Sequence, residues 1–233
     1  MKGSSRMNIL IVAAHPDDEI LGVGGTIARH IEAGDEVCVL ILGEGQTSRC
    51  EKRERAEAGI VEQLHKNTLA AADVLGIKEV FFENFADNRF DREDLLDIVK
   101  AVERKIEMFQ PRIVYTHHRG DLNIDHQITY RAVLTATRPM EGQPVKEIYA
   151  FETVSSTEWN FSYRGEQFAP NVFVNLTEEQ FGKKLAAMEK YETELCEYPH
   201  PRSLEMLKAV AARWGGVAGG RLVEAFEVVR MIR

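Results

Sequence analysis

Cysteine is scarce in this chain. There are three in 233 residues, at positions 38, 50 and 196. An odd, widely spaced set makes no disulfide framework and shows no Cys-based metal site; it fits a reducing cytoplasm. Long apolar runs are missing too. Nothing approaches the ~20 residues that cross a bilayer, and the apolar segment at 8–14 runs straight into a polar loop, unlike a signal peptide. Basic charge is also short, with 29 Lys and Arg against 37 Asp and Glu, a net charge of −8. That argues against non-specific nucleic-acid binding and against a polybasic membrane patch, and leaves local Arg clusters available for an anionic substrate. Repeats, low-complexity tracts and dividing linkers are absent as well. The expectation is a flexible leader over 1–7 followed by one domain over 8–233.

What the chain does have is a rhythm. Apolar strand-like runs recur at 8–14, 36–42, 79–83, 112–117, 146–151 and 171–176. Helical patterns lie at about 20–34, 52–76, 91–109, 126–137, 178–195 and 202–213. Strands alternating with helices build βαβ units, and right-handed crossovers put helices on both faces of the sheet. The expected fold is therefore a single-domain α/β three-layer sandwich with a mostly parallel sheet, the runs at 146–151 and 171–176 extending or flanking it. Gly22-Val23-Gly24-Gly25 lacks the G-x-G-x-x-G spacing, and the loop before it is rich in carboxylates that repel a pyrophosphate. These glycines are expected to allow close helix–sheet packing.

In such sheets ligands bind beyond the carboxyl ends of the strands. Three polar clusters fall there: His15, Asp17 and Asp18 after the first strand, Asp87, Asn88 and Arg89 after the third, and His117, His118, Asp121, Asn123, Asp125 and His126 after the fourth. A His and two carboxylates at the tip of a buried strand are costly to ionise without compensation, and a bound cation supplies it. His15 and Asp18 offer a nitrogen and an oxygen. His126, near a helix start and beside a carboxylate that can orient a ring, is the best third ligand. Two His and one Asp with an open position are a catalytic zinc set. Asp17, lying between two ligands, is left to move protons. Together these parts describe metal-assisted hydrolysis of an amide.

Ala14-His15-Pro16-Asp17-Asp18-Glu19, Gly22 to Gly25, Leu75-Gly76, Asp125-His126 and Pro199-His200-Pro201-Arg202-Ser203-Leu204 together resemble the LmbE-like or PIG-L zinc-dependent N-deacetylases. The resemblance spans about residues 8 to 229 and implies a Rossmann-like fold, one zinc on His15, Asp18 and His126, and Asp17 as general base. The implied reaction removes the acetyl group from a GlcNAc-type amino sugar or its conjugate, a small molecule, and releases acetate and a free amine. It also implies an oligomeric habit, although no segment marks an interface. Iron or manganese could replace zinc in the same ligand set.

Two departures shape the remaining expectations. Where many members carry a His three residues before the zinc His, this chain has Asn123, which can donate to an oxyanion but carries no proton. Zinc, Asp17 or His118 must then supply that proton role. Where many carry Arg-Arg-Glu-Glu, this chain has Leu64-His65-Lys66-Asn67, so Arg49 or Arg53 is expected to grip substrate instead. Asp125 is expected to hold a His tautomer; Asp87, Arg89, His200 and Arg202 are further candidates for substrate contact, and His117 is expected to end its strand as packing. Trp159, Phe161 and Tyr163 would stack on a sugar ring, form a satellite core or make an oligomer contact. The rival functions are hydrolysis of another amide and a non-catalytic zinc-containing sugar-binding protein.

Overall fold

A computed structural model describes residues 6–46, 58–161 and 166–233. Seven strands form one sheet: β1 (Asn8–Ala13), β2 (Glu36–Gly43), β3 (Glu79–Phe85), β4 (Ile113–His117), β5 (Glu147–Phe151), β6 (Val172–Asn175) and β7 (Val223–Met231). Six helices join them: α1 (Asp18–Glu32), α2 (Ala58–Leu75), α3 (Leu95–Phe109), α4 (Ile124–Ala136), α5 (Glu178–Met188) and α6 (Leu204–Ala218). The spatial order is β3-β2-β1-β4-β5-β7-β6. β1 to β5 run parallel, while β7 runs antiparallel to both β5 and β6.

β1 shows why the layers form. Its side chains are almost all apolar, as a parallel strand buried on both faces requires. Period-two alternation then sends Ile9, Ile11 and Ala13 into a core with α1, α2, α5 and α6. Leu10, Val12 and Ala14 enter a second core with α3 and α4. The result is the expected α/β three-layer sandwich with a mostly parallel sheet.

Two expectations change. β7 fills the place between β5 and β6, a strand the sequence pattern did not suggest. Glu224, Glu227 and Arg230 interrupt its apolar signal, and the buried Glu224 is compensated by Lys184 of α5, whose Nζ lies 2.6 Å from Oε1. At the start of the described residues, Met7 N donates to Asp35 Oδ1 at 3.0 Å and Arg6 pairs with Glu36. Finally, α5 ends at Met188, releasing 189–203 as a connecting segment that runs to the rim of the site. Residues 1–5 and 52–57, the first part of the expected second helix, lie outside the described residues.

The glycines of α1 meet their neighbours at close range. A Cβ on Gly22 would sit 2.2 Å from Phe151 Cδ2, and one on Gly25 2.3 Å from Leu176 Cδ1. α1 therefore lies against the β5 end and the β6–α5 connection at a distance that only glycine permits. This packing fixes the helix whose first residue, Asp18, belongs to the site.

Candidate metal centre and active site

β1 ends at Ala13, and the chain turns through His15, Pro16 and Asp17 into α1. Asp17 has φ 102°, a conformation that costs a non-glycine residue energy and persists only where surroundings enforce it. They do so here. The Asp17 carbonyl accepts from Ile20 N at 3.0 Å and Leu21 N at 2.9 Å, and its own N–H donates to Glu19 Oε2 at 3.0 Å. The turn is the helix N-terminus itself, so the first helical hydrogen bonds set where Asp17 and Asp18 point.

Asp18 Oδ2 lies 3.4 Å from His15 Nδ1 and 3.3 Å from His126 Nε2. The two ring nitrogens are 3.3 Å apart. Three potential ligand atoms thus form a nearly equilateral triangle. A tetrahedral centre with bonds of about 2.0–2.1 Å has edges of about 3.3–3.4 Å, so these side chains fit a zinc-sized cation. The other carboxylate oxygen, Asp18 Oδ1, is buried with no hydrogen-bond partner among the described residues, which also suits a metal-facing carboxylate.

Each ring is backed by a carboxylate. His15 Nε2 lies 3.0 Å from Asp125 Oδ2 and 3.2 Å from Asp87 Oδ1. Asp125 is itself fixed by backbone donors, Asn88 N at 2.6 Å and Phe90 N at 3.0 Å. His126 Nδ1 lies 3.1 Å from Asp121 Oδ1, and Asp121 accepts from Ser156 Oγ and, at 2.6 Å, from Thr157 Oγ1. Asp125, the sequence neighbour of His126, therefore backs His15 across the site, and Asp121, five residues before His126, backs His126. Such partners fix tautomer and ring orientation and raise ligand basicity.

The charges follow this wiring. Burial disfavours the imidazolium of His126, but Asp18 and Asp121 outweigh it and push the group up to about 9. Burial opposes the His15 cation as well, and hydrogen bonding to Asp125 and Asp18 raises it well above the ordinary value. Asp18 goes the other way: burial would raise it, yet His126 and His117 hold it well below the usual range. Asp17 is raised by burial and by neighbouring carboxylates against the pull of Arg202.

His117 and His118 are adjacent, and strand alternation separates them. His117 stacks on His126 with centroids 3.9 Å apart, and its Nε2 accepts from Ala14 N at 2.9 Å. Burial first, and then the charge of His126, lower it to about 3; it is a neutral wall behind the site. His118, the candidate proton carrier, is not brought to the pocket. It faces Glu227 at 3.2 Å and meets the Phe168 ring edge-on.

An open pocket of about 120 Å³ lies over the triangle, and His15, Asp17, Asp87, Asn88, Asn123 and His126 line it. The Asn123 side-chain oxygen accepts from Asp125 N at 2.8 Å and caps α4, leaving its amide nitrogen, 3.1 Å from Asn88 Oδ1, as the donor end. Arg202 lines the same pocket together with Glu194, Ser155 and Ser156. Arg202 Nη1 donates to Asp17 Oδ2 and to Glu194 Oε2, each at 2.8 Å.

The other substrate candidates stand apart. Arg89 precedes a short 3₁₀ turn over Phe90–Arg92 and does not line this pocket. His200 accepts from Arg202 N at 3.1 Å and meets Trp159 edge-on, outside the pocket lining. Phe161 is exposed. Arg49, Arg53 and Tyr163 lie outside the described residues. Glu194 and Gln46 were missed from the sequence: each is an isolated polar residue in an unremarkable segment, and the fold brings them together through a Gln46 Nε2 to Glu194 Oε1 hydrogen bond.

A family model described as PIG-L, GlcNAc-PI de-N-acetylase, matches residues 10–137, the stretch from β1 to α4 that carries both His-containing loops. The chain belongs to the PIG-L family. Among relatives, the uncharacterized deacetylase YaiS of Escherichia coli is 31% identical over 82% of this chain and 93% of its own length. The 4-oxalmesaconate hydratase of Pseudomonas putida is 27% identical over 77% of this chain and 71% of its own length. In structure, the N,N'-diacetylchitobiose deacetylase of Pyrococcus horikoshii superposes with a TM-score of 0.74 at 19% identity, covering 97% of this chain and 85% of that one. That neighbour establishes the shared fold. Deacetylation of GlcNAc-type amino-sugar conjugates is thus supported at the level of the family. Among the described residues no helix is long and apolar enough to cross a membrane.

Proposed function

We propose that this chain is a zinc-dependent N-deacetylase acting on a small GlcNAc-type amino sugar or its conjugate. The observation that carries the reading is the triangle of His15 Nδ1, Asp18 Oδ2 and His126 Nε2, set at the base of a polar pocket beside the unliganded carboxylate of Asp17. Zinc held by these three residues supplies Lewis-acid polarisation of the acetamide carbonyl and lowers the pKa of a water toward ~7. Asp17 takes the proton of the attacking water and returns it to the leaving amine, which departs as acetate is released. Its elevated proton affinity suits that shuttle. The Asn123 amide nitrogen donates to the developing oxyanion, while Asp125 and Asp121 keep the two imidazoles in register. Asp87 and Asn88 take sugar hydroxyls from their side of the pocket. The scarcity of cysteine supports a cytoplasmic setting.

The test is acetate release from a panel of N-acetylated monosaccharides, oligosaccharides and sugar conjugates, run with zinc-loaded protein and with Asp17→Asn as control. Release from at least one acetamido sugar, lost in the variant, is expected. No release from any member at one zinc per chain would overturn the deacetylase reading. The similarity to a hydratase makes water addition to an unsaturated substrate the next reaction to assay.

A further inference from the structure

Arg202 entered as a candidate for substrate contact, but its hydrogen bonds run inward. Nη1 bonds Asp17 Oδ2 and Glu194 Oε2, both at 2.8 Å, and Nε bonds Ser155 Oγ at 2.8 Å. Two faces of the guanidinium fork are thereby spent on protein. The carboxylate partners are buried, Asp17 2% and Glu194 5% exposed. Glu194 is held in turn by Gln46 Nε2. A second contact arrives from the same part of the chain: the buried Tyr191 hydroxyl donates to Glu19 Oε1, and Glu19 Oε2 accepts from Asp17 N at 3.0 Å.

We infer that the connecting segment from Tyr191 to Arg202 is a clamp on the general base. Arg202, locked by Glu194 and Ser155, engages Asp17 Oδ2 and presents Oδ1 to the water. Tyr191, through Glu19, holds the backbone N–H of Asp17 in its positive-φ turn. Arg202, Glu194 and Tyr191 are positioning residues, and substrate is gripped by other groups. This inference rests on Asp17 being the base. Its physical ground is that a reacting group misplaced by about 1 Å can lose ~10²-fold in rate, and that among the described residues Arg202 is the side chain that anchors the carboxylate of Asp17 on its strained turn.

The decisive set is Arg202→Ala, Arg202→Lys and Tyr191→Phe, read in zinc-loaded protein. For Arg202→Ala the clamp predicts a fall in kcat of about 10²-fold, with KM changed less than about threefold and zinc stoichiometry unchanged. Guanidinium at millimolar concentration restores part of kcat. Arg202→Lys recovers activity only partly, because an ammonium cannot make the same forked contacts with Asp17, Glu194 and Ser155. Tyr191→Phe lowers kcat with KM kept. If Arg202→Ala proves unstable because Asp17 and Glu194 face each other without their cation, Arg202→Ala/Glu194→Gln removes one of those charges and carries the same prediction. A raised KM with kcat kept would make Arg202 a substrate contact and overturn the clamp. A crystal structure of zinc-loaded Arg202→Ala reads the claim without substrate. An Asp17 carboxylate that is rotated or split between two orientations supports it, and an unmoved one overturns it. If the wild type releases no acetate, the functional reading fails alone and the crystal structure decides the clamp.

Discussion

Asp17 and Arg202 are separated by 185 positions in the chain, yet Arg202 Nη1 lies 2.8 Å from Asp17 Oδ2. Asp17 falls inside the span that matches the family model, residues 10–137, and Arg202 outside it. The candidate base therefore comes from the first βα turn, and its partner from a segment that follows six strands of the sheet along the chain. A buried carboxylate with one cationic partner is strongly oriented, because losing that partner leaves the charge uncompensated.

Replacing Asp17 with Asn removes the proton shuttle and keeps the shape. Turnover should fall by about 10²–10⁴-fold, the usual range for a positioned general base. Zinc content should stay near one per chain, since the triangle is untouched. Steady-state kinetics alongside metal analysis check both halves.

Metal and protons compete for the same atoms. His126 is pushed up to about 9 and His15 well above its ordinary value in the metal-free protein, so zinc binding should release protons there. Calorimetry in buffers of different ionisation enthalpy measures the number. The same groups set stability. For His126, raised above its ordinary value of 6.5, the stabilisation is complete below about 6.5 and is lost as pH rises through about 9. Glu19, raised by burial to about 7, loses its contribution as pH rises from 4.5 through 7. Metal-free protein should therefore melt at progressively lower temperature between mildly acidic pH and pH 9, and zinc should flatten the upper part of that decline.

Asp121→Asn should weaken zinc binding by about 10–100-fold, the usual effect of losing a carboxylate behind a ligating His. Asp121 also receives Ser156 and Thr157, so the 153–159 turn should loosen with it. Competition with a chelator of known affinity gives the number; an unchanged affinity would remove Asp121 from the ligand-orienting role.

Gly22→Ala tests the packing of α1. With Phe151 2.2 Å from the new Cβ, the overpacking should cost about 1–3 kcal/mol. Because α1 begins at Asp18, zinc affinity should fall as well. Denaturant unfolding and a zinc titration read the two effects separately.

Much of this was legible in the chain because the decisive groups are contiguous or topologically forced. His15, Asp17 and Asp18 share one turn, and the rule that ligands gather beyond strand ends brings the loop after β4 to them. What escaped needed three dimensions. Asp125 was expected to orient a His, but sequence cannot show that it reaches across to His15 while Asp121 backs His126. His117 and His118 are equivalent in composition, and only the strand's alternation decides that the first lies behind the site and the second against Phe168. Glu194 carries no motif, and Arg202 gained its partners from the path of 189–203, which follows from α5 stopping at Met188. β7 was hidden because its charged residues are neutralised by long-range partners such as Lys184.

The most direct test is to strip the protein of metal, confirm that acetate release has stopped, and titrate zinc back while following release from the best acetamido sugar. Activity should rise in proportion and saturate at one zinc per chain in the wild type, with no recovery in His126→Ala. Acetate release that ignores zinc, or that returns equally in His126→Ala, would contradict a metal centre built on His15, Asp18 and His126.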